Sequence, residues 1–101
     1  MQIRGREVDF KVGRLKDAEA LEKAIDNLGV NEKKINRKGK LSEILAEEIR
    51  LFRTFIVEAT GEDILDGCED FEESKGAYMD MIQGVAEQKK ELLGFSLENI
   101  K

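Results

Sequence analysis

Apolar side chains recur at Leu41, Leu45, Ile49, Phe52 and Ile56, in steps of 4, 4, 3 and 4. That is the period of a helix with one buried stripe. Ile44, Leu51, Phe55 and Val57 widen the stripe, so a helix over residues 41–60 is expected to meet neighbours on more than one side. Two of the five phenylalanines of the chain lie in it. Ser42 is placed to cap it, and Glu43, Glu47 and Glu48 sit near its start, where the helix dipole favours acids. Gly61 closes it.

Ahead of this helix, Val8, Phe10 and Val12 alternate with Glu7, Asp9 and Lys11, the period-two pattern of a half-buried strand. Ile3 fits a short partner strand, with Gly5 supplying the positive φ of a tight turn, so residues 1–13 form a β-hairpin. A lone hairpin is marginal in water, so this one packs on a helix or pairs its edge with another chain. Asp17 is placed to cap a first helix over 17–29, whose slim face is Ala18, Leu21, Ala24, Ile25 and Leu28, with Gly29 just past its end. Residues 30–40 form a basic linker, and residues 61–73 an acidic turn that tucks Ile64, Leu65 and Phe71 against the core. Tyr78, Met81, Ile82, Val85, Leu92 and Leu93 mark a last helix over 74–94, with Gly84 open to close approach by another backbone. Residues 95–101 make a tail. The expected fold is α+β and mostly α: one domain with an N-terminal β-hairpin and three main helices in a small bundle. Its expected core is Leu21, Ile25, Leu45, Ile49, Phe52, Ile56, Met81, Ile82 and Val85.

Composition narrows the chemistry. The chain has 101 residues, no proline, no histidine and one cysteine. Without histidine, the commonest general base and the commonest zinc ligand are missing. Cys68 has no partner for a disulfide or a CxxC site, and its acidic neighbours Glu69 and Asp70 disfavour a thiolate. The glycines form neither GxGxxG nor a phosphate loop. Seven acids lie between Glu62 and Glu73 with no base among them. The calcium-loop spacing fails there, because Ile64 would occupy a ligand position. The sequence therefore predicts a protein that is not an enzyme and has no cofactor or metal. No apolar run suits a secretory leader or a membrane span, and a cytoplasmic protein is expected.

Charge is uneven. Residues 1–40 carry 11 basic and 7 acidic side chains, or +4, and residues 41–101 carry 6 and 15, or −9. Overall acidity argues against a duplex-binding footprint. Lys33, Lys34, Arg37, Lys38 and Lys40 nevertheless form a local basic cluster, and a small nucleic-acid-binding regulator using it is the alternative reading. No aromatic is interleaved there to stack on bases. The candidate protein-contact residues are Val8, Phe10 and Val12 on the hairpin edge, Phe55 and Val57 flanking the main stripe, and the adaptable Met79.

The order of parts resembles a known group. I-R-G-R-E-V-D-F at the N-terminus is followed by the Ser-capped L-S-E-I-L-A-E-E-I-R-L-F-R-T-F. Then come G-E-D-I-L-D-G-C and a last helix running to V-A-E-Q-K-K-E-L. Together these resemble small phage and prophage tail-region proteins of Gram-positive bacteria, in particular tail assembly chaperones. The resemblance spans nearly the whole chain and rests on pattern and order. It implies a self-associating protein without a cofactor that binds tape-measure or tail-tube protein, and it brings no catalytic motif.

Overall fold

The computed structural model describes residues 1–100, with side chains for residues 1–94. The chain forms a two-stranded antiparallel hairpin, β1 (Gln2–Ile3) and β2 (Arg6–Glu7), then three helices: α1 (Leu15–Lys33), α2 (Leu41–Thr60) and α3 (Phe71–Ile100). This is the expected mostly-α arrangement.

The hairpin is shorter than the alternation suggested. Gln2 pairs with Glu7 and Ile3 with Arg6. The two turn residues, Arg4 and Gly5, both have positive φ, 52° and 77°, as a type I′ turn requires. Past Val8, whose N–H donates to the Met1 carbonyl at 2.8 Å, no strand among the described residues faces the chain. The alternation still describes burial: Val8 and Phe10 point into the core and Asp9 and Lys11 into solvent. The backbone groups left over find a side chain instead. Gln88 Nε2 donates to the Phe10 carbonyl at 3.1 Å, and Gln88 Oε1 accepts from the Val12 N–H at 2.8 Å.

The N-terminal segment is thus docked within its own chain, along α3. The row Gly76, Asp80, Gly84, Gln88 advances by one helical turn at each step. Asp80 accepts from the Arg4 N–H at 2.9 Å. The Arg4 guanidinium lies over Gly76 so closely that a Cβ there would overlap it, and the Met1 side chain covers Gly84. Gly84 therefore admits a side chain rather than another backbone.

Several boundaries differ from the sequence expectation. α1 starts at Leu15, after Arg14, and Asp17 does not cap it. Asp17 instead accepts from the Lys11 N–H at 3.0 Å and pairs with Arg14. The helix passes through Gly29, because packing against α2 outweighs the roughly 1 kcal/mol that an interior glycine costs. It ends in tight turns in which Lys34 N–H donates to the Asn31 carbonyl and Ile35 N–H to Glu32. The connection to α2 is therefore 34–40. α2 has the expected bounds, though Lys40, not Ser42, precedes it without a side-chain cap. Gly61 closes it with a φ of 79°. α3 begins at Phe71, earlier than 74, because Asp70 caps it: its Oδ1 accepts from the Glu73 N–H at 3.2 Å. Gly94 lacks positive φ and the helix continues to Ile100, where a tail was expected. Lys101 lies outside the described residues.

The core forms where α1, α2, α3 and the N-terminal segment meet. Ile3, Val8, Phe10, Leu21, Ala24, Phe55, Ile56, Ala59, Leu65, Ala77, Met81 and Val85 are buried together. Phe52 packs beside Phe71 and Tyr78, with ring centroids at 6.1 and 5.0 Å, where α3 crosses α2. Ser74 is wholly buried there and satisfies its hydroxyl on the Phe71 carbonyl at 2.8 Å. Of the expected core, Leu21, Ile56, Met81 and Val85 are buried, Phe52 and Ile82 are partly buried against this cluster, and three residues stand outside it. Ile25 is 47% exposed, because α1 turns Leu21 and Ala24 inward. Leu45 and Ile49 are only half-buried.

Candidate functional site: the open half of the central helix

The stripe on α2 is continuous in sequence but not in cover. Its second half, Phe52 and Ile56, lies under α3, and Phe55 and Ala59 complete the seal. Its first half, Leu41, Leu45 and Ile49, runs beyond the crossing. Leu41 is 73% exposed. Here α2 is held by α1 and by the 34–40 connection, whose Asn36 and Arg37 reach Glu47 and Glu48. Asn31, Lys34 and Ile35 lie beside Glu47, Leu51 and Thr54.

On the other side of this half-helix lies an open groove of about 470 Å³. Ser42, Leu45, Ala46, Ile49, Arg50 and Arg53 form its floor and outer wall, and Cys68 and Glu69 form its rim. Arg53 fixes that rim. It donates to Asp63 at 2.8 Å through Nε and to Asp66 at 3.0 Å through Nη2. The hydrogen bond from Arg53 holds the Asp63 carboxyl below its ordinary value, and Asp63 raises Arg53 in turn. The acidic turn thus receives its counter-charge from α2. Cys68 is half-buried, its thiol directed to the Asp70 carbonyl at 3.4 Å, and plays a structural part in the rim.

The expected contact residues divide. Val8, Phe10 and Phe55 are 1–2% exposed. They are spent on the chain's own core and leave the contact set, because α3 covers the segment that an open hairpin edge would have offered. Val12 is half-buried against the same core. Val57 is half-buried, on the α2 flank that carries Arg50 and Arg53. Met79 is 52% exposed on α3. In place of the buried residues the structure offers Leu41, Leu45, Ala46 and Ile49. Their signal in the sequence was a stripe reaching to the first residue of a 20-residue helix, while the face of α1 thins after Leu28.

The basic cluster lies at the end of α1 and in the connection to α2. Arg37 is paired with Glu48, and the Asn36 N–H donates to Glu47 at 3.3 Å. Lys33, Lys34, Lys38 and Lys40 are exposed and make no ion pair among the described residues. Among those residues no helix is long and apolar enough to cross a membrane, and no three acidic or thiol side chains gather as a metal site. No protein-family model, curated protein or solved structure matches the chain.

Proposed function

We propose that this chain is a non-enzymatic tail assembly chaperone, or an assembly-associated protein, of a phage or prophage. It works in the host cytoplasm without a cofactor, self-associates, and binds tape-measure or tail-tube protein. The observation that carries this reading is the apolar stripe of α2, which continues to Leu41 past the end of its own intramolecular cover. An apolar helix face lying in an open groove is the surface that another amphipathic helix fills. The resemblance of the hairpin, the Ser-led helix and the G-E-D-I-L-D-G turn supplies the tail-assembly context.

The test is binding of helical tape-measure peptides by calorimetry. Wild type binds, and the pair Leu41→Asp and Leu45→Asp abolishes binding while helicity is kept. Replacing Lys33, Lys34 and Lys38 by alanine leaves it unchanged. Failure of every tape-measure and tail-tube segment to bind overturns the reading. Duplex DNA binding that disappears with the three lysines would install the regulator in its place.

A further inference from the structure

We infer that the open half of α2 is covered by the same half-helix of a second copy, antiparallel across a two-fold axis at Ala46. This rests on the reading of that face as a protein-contact surface, and names its occupant. Three observations place the axis. Ala46 is exposed and lies in the groove with Ser42, Leu45 and Ile49 around it, so a small side chain stands where two helices would approach most closely. Glu43 and Arg50 lie seven residues apart, hence two turns apart on one flank. Both are exposed, and neither makes an ion pair among the described residues.

A two-fold axis perpendicular to α2 and level with residues 46–47 reverses the helix direction and keeps the flank. It sets Glu43 of each copy opposite Arg50 of the other, making two symmetric ion pairs from one chain's residues. Leu45 and Ile49 then interlock on either side of Ala46. Such a self-complementary patch is what an isologous dimer requires. The contact is short, because α3 covers the helix from Phe52 onward and Arg53 is tied to Asp63 and Asp66. About 15 Å of helix is available, which places the dimer among small, reversible interfaces. A client helix and a second copy compete for the face, so self-association covers the stripe while no client is bound.

The experiment is sedimentation equilibrium of the full chain from about 10 μM to about 1 mM, the range in which weak dimers dissociate. The expected mass rises toward twice the 11.5 kDa of one chain. Glu43→Arg and Arg50→Glu each raise the dissociation constant about tenfold or more, since each sets like charges across both symmetric contacts. The double reversal restores it to within about threefold, because the pairs re-form with their signs exchanged. Ala46→Cys in a Cys68→Ser background cross-links on oxidation through position 46 in both copies. Positions 43, 46 and 50 are all exposed, and circular dichroism checks that each variant keeps its helices.

A monomer throughout, a dimer indifferent to the single reversals, or a double reversal that stays weak overturns the inference. Calorimetry separates this from the broader reading. A monomer that binds tape-measure helices refutes the dimer and self-association but leaves client binding standing, and a dimer with this register that binds none refutes the chaperone alone.

Discussion

The two halves of α2 are near-equal in their sequence pattern and opposite in their fate. Leu51–Thr60 is enclosed by α1, by α3 and by the N-terminal segment. Phe55 and Ile56 are 1% and 0% exposed. Leu41–Arg50 carries the same apolar period, yet it touches α1 on one side and an open groove on the other. The difference lies in the chain that follows. The turn at 61–70 and its ties to Arg53 start α3 level with Phe52, so α3 reaches only the second half. Hydrophobic periodicity tells that a helix has a face to bury; it does not tell which molecule buries it.

The contrast can be broken first by truncation. Phe55→Ala is expected to cost about 3–5 kcal/mol, the transfer and cavity loss of a fully packed aromatic. Leu41→Ala should cost less than about 0.5 kcal/mol, as for other exposed positions. Urea melts of the two variants measure this directly, and similar losses would mean that both halves are core.

The seal over the second half depends on Gln88, which alone among the described residues satisfies the Phe10 carbonyl and the Val12 N–H. Gln88→Leu should cost about 2 kcal/mol, because two partly buried backbone groups lose their partner. The same melt reads it, and hydrogen exchange at Val12 should quicken. Gly29→Ala acts on α1, the helix packed beside the first half. The glycine is exposed, lacks positive φ, and has nothing within 4 Å of the place a Cβ would take. The change should stabilise by about 1 kcal/mol, without altering client or partner binding.

The smallest effect concerns the rim of the groove. Hydrogen bonding from Arg53 lowers the Asp63 carboxyl below its ordinary 3.8. A group depressed in the folded state contributes fully above its unfolded value, and its contribution is lost as pH falls through the folded one. Stability should therefore decline modestly below about pH 4. Arg53→Ala should flatten part of that decline in urea midpoints measured from about pH 5 to about pH 2.

Local chemistry was legible in the sequence wherever it decides the backbone by itself. The Gly5 turn, the bounds of α2 and its Gly61 cap all rest on single residues with steric or periodic reasons. Burial was legible in pattern but not in partner. The alternation of Val8 and Phe10 was real, yet a glutamine on α3, 78 residues beyond Phe10, occupies the place of the missing strand. Nothing in the spacing of Gln88 announces that role. Ser74 and Ala77 are buried because α2 and α3 cross closely, and small residues carry little periodic signal. The candidate site was missed for the converse reason. Leu45 and Ile49 have core-like spacing, and only the position at which α3 crosses α2 reveals that they are left half-buried beside an exposed Leu41.

Native-state hydrogen exchange along α2 tests the division of this helix most directly. Amides of residues 51–60 should exchange only through global unfolding. Amides of residues 41–50 should open at lower free energy in dilute solution, and their protection should rise with protein concentration or on adding a client helix. Uniform protection from Leu41 to Thr60, unchanged by concentration and by client, would contradict an open contact face and make the whole helix core.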